Sequence, residues 1–248
     1  MQRVLPFEEL VSTLQPCSDQ CQTALKILDL TDEHKKMIDQ ETRRFKLVGS
    51  QMLRNCFTTD DQTAKRRLQM SLVDCFCELA TIATRADPVH RHFAADLEHC
   101  VTSDSGKPHY SDITISQLPS SSDDNPRCTS QNEKLCVVVE LTFSGLKSRH
   151  KDKFQNAFSQ LMHTAALAFN AKQWDRQLCC CLGSLTHWHV FLLRVVRDPE
   201  RDCPAFRISC YKEFALNKDP FDWDSCGSQF VNMYRTLFEH LLACLLVG

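Results

Sequence analysis

The chain has 248 residues, 43% of them apolar and 24% charged, which is enough for a substantial buried core. Six Gly and nine Pro exclude a collagen-like chain and argue against a disordered one. A net charge of −2 gives no chain-wide basicity, so any affinity for nucleic acid must come from a local patch.

The opening stretch from Met1 to Glu9 lacks the apolar core of a signal peptide, and the expectation is an intracellular protein. No run approaches the ~18–20 apolar residues of a membrane span. The apolar end from Leu237 to Val247 is shorter and contains Glu239 and His240, so no membrane partner is expected. Fifteen cysteines are an odd number with spacings unlike zinc knuckles: Cys17 and Cys21, Cys75 and Cys77, and the consecutive Cys179, Cys180 and Cys181. They read as reduced thiols used as small apolar side chains.

Two stripes at helical spacing come first, Ile38, Phe45, Met52 and Cys56, then Leu68, Leu72, Phe76, Leu79 and Ile82. Asp60 or Asp61 can cap the second of these helices. Asp87-Pro88 suggests the start of a third, running through Phe93, Ala94 and Leu97 towards Cys100. From residue 101 the character changes. Ser111 to Ile115 alternates as a short strand, residues 117–134 are loop material, and Leu135 to Phe143 reads as a strand buried on both faces. Phe154, Phe158, Leu161, Met162 and Ala165 mark an amphipathic helix. A hairpin follows from Leu178 to Val196, turning at Gly183-Ser184, then a strand from Ala205 to Tyr211 and a closing helix from about Ser228. This order predicts an α/β fold, a mixed central sheet flanked by helices.

One residue breaks the apolar pattern. Glu140 stands inside Val137-Val138-Val139-Glu140-Leu141, where a carboxylate is costly unless paired or bound to a cation. The other strand acid is Asp112; on neighbouring strands the two can share a divalent metal, and Mg²⁺ favours such oxygen donors. The alternative is structural, with each acid held by a nearby Lys or Arg. His187 and His189 share a strand face around Trp188 and are expected to pack rather than bind metal.

His109-Tyr110-Ser111-Asp112-Ile113-Thr114-Ile115 followed by Val137-Val138-Val139-Glu140-Leu141-Thr142 resembles the PD-(D/E)xK signature of restriction-endonuclease-like nucleases. The resemblance covers roughly residues 90–215 and implies a restriction-endonuclease-like core in 90–248, with 1–89 as a helical N-terminal region packed on it. It implies Mg²⁺-dependent phosphodiester hydrolysis of DNA or RNA, with Asp112 and Glu140 as the metal-binding acids. Ser111 stands where the signature has Pro, and Thr142 where it has the catalytic Lys. Thr can hydrogen-bond but carries no charge. The same resemblance offers Gln160 on the following helix as a further site residue, and Glu98 as an additional carboxylate. Lys147, Arg149, Lys151 and Lys153 cluster before that helix and are candidates for phosphate contacts or for replacing the lost Lys. The alternative function is a nuclease-derived module that binds protein or nucleic acid without turnover.

The cysteine reading gives the first prediction. Thiol titration of denatured, unreduced protein should find nearly all fifteen cysteines free; several disulfides would contradict an intracellular origin.

Overall fold

The computed structural model describes residues 32, 35–40, 42–43, 61–102, 108–119, 133–142, 150–197, 204–216 and 223–247. It is a mixed α/β fold. Six strands form one sheet in sequential order: β1 (His92–Thr102), β2 (Pro108–Leu118), β3 (Lys134–Leu141), β4 (Gln177–Gly183), β5 (His187–Arg197) and β6 (Pro204–Ala215). The β3–β4 pair is parallel and the other four pairs are antiparallel. A parallel pair needs a crossover, and the helix α2 (His150–Asn170) provides it. Helices α1 (Asp61–Ala86) and α3 (Trp223–Val247) complete the layers.

Strand alternation distributes the apolar residues to two cores. Ile113, Val137, Val139, Cys179 and Cys181 face α1 and α3, packing with Leu68, Leu72, Phe76, Tyr234 and Leu241. Val138, Cys180, Leu182 and Phe191 face α2, packing with Phe158, Leu161 and Ala165. The three consecutive cysteines thus serve both cores, and all three are buried free thiols. A register shift between Ile115 and Ser116 lets one extra β3 residue into the ladder. The pairing of the Ile113 and Val138 segments, and Leu161 lying beneath its helix, agree with the sequence reading.

Two local expectations are corrected. The segment from His92 to Thr102 is strand β1, not a helix. Phe93, Ala95 and Leu97 alternate onto the α1 side, a period of two that the predicted helical spacing of Phe93 and Leu97 concealed. Asp87 does not open a helix. Its carboxylate accepts the Arg91 N–H at 2.6 Å and pairs with the Arg91 guanidinium at 2.8 Å, turning the chain into β1. The β4–β5 turn also lies later than expected. Gly183 pairs with Trp188 inside the ladder, and the bend is at Leu185-Thr186, closed by Ser184 N–H to the His187 carbonyl at 2.7 Å. Among the other predicted elements, Phe45, Met52, Cys56 and Asp60 lie outside the described residues; Ile38 is buried against the α1–α3 core.

Gly183 is fixed by a close approach rather than by a turn. A Cβ there would lie 2.5 Å from ring atoms of the fully buried Trp188. Gly183→Ala should therefore destabilise the fold by about 1–3 kcal/mol, the usual cost of overpacking. An unchanged urea midpoint would show that the Trp188 ring can move aside.

Candidate functional site

The regular β2–β3 ladder ends at the pair Ile113 and Val139. The next rung would set Asp112 opposite Glu140. Here the Asp112 side chain enters the ladder: its Oδ2 accepts the backbone N–H of Leu141 at 2.7 Å. The β1–β2 pairing continues without β3 as far as Thr102 and Pro108. The β1–β2 hairpin thus parts from the sheet at Asp112, and the carboxylate sits in the fork.

Two residues of α1 hold this point from the side. Gln69 donates to the Asp112 carbonyl at 3.0 Å, and Lys65 Nζ lies 2.8 Å from Asp112 Oδ2. The Asp112 side chain is 14% exposed and that of Lys65 34%, so this pair is partly shielded from water. The ion pair that a structural reading requires for Asp112 is therefore present. It does not account for Glu140.

Glu140 is 2% exposed. Its carboxyl group lies within hydrogen-bonding reach of Asp112, while Oε1 is buried with no hydrogen-bond partner among the described residues. Burial, followed by the repulsion from Asp112, pushes its pKa up to about 9; Lys65 opposes that rise. At neutral pH the folded protein therefore holds a protonated glutamic acid against a carboxylate. Such a pair has unspent oxygen donors, and a cation entering between them would displace the proton.

The remaining candidates separate. Thr142 is buried two residues beyond Glu140, its N–H donating to the Gly183 carbonyl at 2.7 Å. Gln160 is exposed on α2, off the stripe formed by Phe154, Phe158 and Leu161. Glu98 falls opposite Asp112 in the β1–β2 register, with φ 52°, but it is exposed and contributes nothing to the shift at Glu140. Lys147 and Arg149 lie outside the described residues; Lys151 and Lys153 belong to the first turn of α2, with their side chains outside that set. Among the described residues no three His, Cys, Asp or Glu side chains converge as a ready metal site.

His189 is buried, with Nδ1 2.7 Å from the Tyr211 hydroxyl and its ring edge-on to Phe154. Burial lowers its pKa to about 4, which keeps the imidazole neutral. His187 meets the Thr186 hydroxyl at 3.0 Å. The His189 contacts agree with the packing role expected of it.

Lys65 was missed from the sequence, where it stands as the first of three consecutive cations, Lys65, Arg66 and Arg67. No family model, curated protein or solved structure matches this chain. Among the described residues no helix is long and apolar enough to cross a membrane.

The raised pKa of Glu140 has a definite sign. The folded state retains a proton that the unfolded chain releases above its ordinary value of 4.5, so stability falls as pH rises from about 4.5 towards about 9. Glu140→Gln keeps the shape and removes the titration. It should be more stable than wild type at pH 8 by about 1–3 kcal/mol, with the gap closing below pH 5. Parallel urea curves at both pH values would show that the carboxyl group is hydrated after all.

Proposed function

We propose that the Asp112–Glu140 fork is a restriction-endonuclease-like site for Mg²⁺-dependent phosphodiester hydrolysis of DNA or RNA. The observation that carries this reading is the buried Glu140 carboxyl group beside Asp112, with an oxygen left unpartnered among the described residues. A purely structural acid in that position would be expected to have its own cation. Lys65 serves Asp112 instead. The mixed sheet with helices on both faces, and the signature acids on adjoining strands, suit the same reading.

The two carboxylates are hard oxygen donors of the kind Mg²⁺ takes, and they would hold it together with water. When bound, the ion would supply Lewis-acid stabilisation of charge on the phosphate. The chain's own part begins with Asp112, which the Leu141 N–H and Lys65 hold in one orientation. Burial of Glu140 excludes bulk water from one side of the fork and strengthens electrostatic interactions there. Lys65 places an ammonium group beside the acids, which the signature obtains from the residue two after the Glu. Thr142 occupies that signature position and offers only a hydroxyl group. In this reading the positive charge reaches the site from α1.

A second reading rests on the same Thr142: a nuclease-derived module that binds nucleic acid or a protein partner without cleaving. Cleavage assays on single- and double-stranded DNA and RNA, with Mg²⁺ or Mn²⁺ titrated, separate the two. Wild type should cleave and Glu140→Gln should not. Lys65→Ala should lose roughly 10²–10³ in rate, the usual contribution of one preorganised electrostatic group, and Thr142→Lys in that background should restore part of it. Absence of cleavage by every variant, with no divalent-ion binding by calorimetry, would reject the enzyme and leave the binding module.

A further inference from the structure

The opposite end of the sheet carries a second concave surface, remote in register from Asp112 and Glu140. It is a pocket of about 510 Å³ on the α3 side, where the chain enters β3 and β4 and leaves β5. Its lining includes four cationic side chains from different parts of the chain, Arg91, Lys134, Arg176 and Arg194, and one acid, Asp175.

Two of the cations are already engaged. Arg91 binds Asp87 and donates to the Leu246 carbonyl at 3.0 Å, which also covers the negative end of α3. Lys134 takes Asp175 at 3.1 Å. Among the described residues Arg176 and Arg194 have neither a side-chain hydrogen bond nor an ion pair. Both are exposed and both line the pocket. Val195 N–H donates to the Arg176 carbonyl at 3.1 Å, and Arg194 pairs with Gln177, so Arg176 and Arg194 lie one step apart along the ladder. On its other side Arg194 pairs directly with Arg207, which is exposed. Like charges across a strand pair are destabilising, and the one acid of the pocket, Asp175, is shared between its Lys134 partner and the charge of Arg176. The floor between the cations is different in kind: Cys136, Cys179, Leu192 and Leu245 are apolar, with the amides of Gln117 and Gln177 also in the lining.

Four cationic side chains against one acid, around an apolar hollow, suit an anion that carries an apolar body. Arg meets phosphate oxygens in a bidentate fork, and the volume is that of an ordinary small-molecule site. We propose that this pocket binds a free phosphomonoester of mononucleotide size, its phosphate on Arg176 and Arg194 and its apolar part on Cys136, Cys179 and Leu192.

Calorimetry on the full chain tests this with 5′-AMP, inorganic phosphate and adenosine as probes. The expected result is binding of 5′-AMP at least tenfold tighter than inorganic phosphate, with none detectable for adenosine. The double variant Arg176→Gln/Arg194→Gln should weaken 5′-AMP more than tenfold while its melting curve shows that it is folded. Arg66→Gln, at the other end of the molecule, should leave the affinity unchanged. No binding of 5′-AMP by wild type, or full affinity in a folded double variant, would overturn the assignment. Inorganic phosphate binding as tightly as 5′-AMP would overturn the role given to the apolar floor. Neither measurement depends on cleavage, so failure here leaves the proposal for the Asp112–Glu140 fork standing.

Discussion

The carboxylate of Asp112 occupies a place in the β2–β3 ladder that a backbone carbonyl would ordinarily fill, taking the N–H of Leu141. Much of the local architecture depends on that substitution. It satisfies a donor that would otherwise be orphaned where the strands part. It also fixes the carboxylate beside Glu140 and gives Lys65 its partner, tying α1 to the fork. The cost falls on Glu140, which sits buried next to a fixed negative charge and keeps its proton at neutral pH. The arrangement trades stability for a pair of acids in one place, as functional sites commonly do.

How much of this was legible in the residues differs between elements. β3 was legible because five consecutive apolar residues, Leu135 to Val139, stand in front of Glu140 with no helical period to confuse them. α2 was legible from its stripe, and β2 from alternation. β1 was not, since Phe93-Ala94-Ala95-Asp96-Leu97 fits a helix through 93, 94 and 97 and a strand through 93, 95 and 97. Only the neighbour in space decides between them, and that neighbour is the rest of β2. Position 183 shows the converse. The glycine was read as a turn residue, but its lack of a side chain serves the Trp188 ring instead.

The site was legible in its acids and not in its cation. Asp112 and Glu140 stand out because strand burial makes charge conspicuous within a short window of sequence. The contact of Lys65 with Asp112 depends on how α1 docks, which no local pattern records. The same limit hides Arg176, Arg194 and Arg207, separated along the chain and brought near one another only by the pairing of β4, β5 and β6. Sequence reveals the residues that are wrong for their immediate surroundings, whereas those made useful by a distant partner emerge only once the fold is drawn.

The topology also has a consequence for the order in which the chain gains its structure. β1–β2, β4–β5 and β5–β6 are antiparallel neighbours joined by short connections, so each pair closes at small entropic cost. β3 is the exception on both edges. It meets β2 only across residues 119–133, and β4 only after the whole of α2 has been spanned. The sheet is two local units with β3 as the keystone between them, and its insertion carries the non-local part of the folding barrier. Glu140 rides on that strand. Its desolvation therefore waits on β3 meeting β2, and neither local unit by itself contains the acid pair.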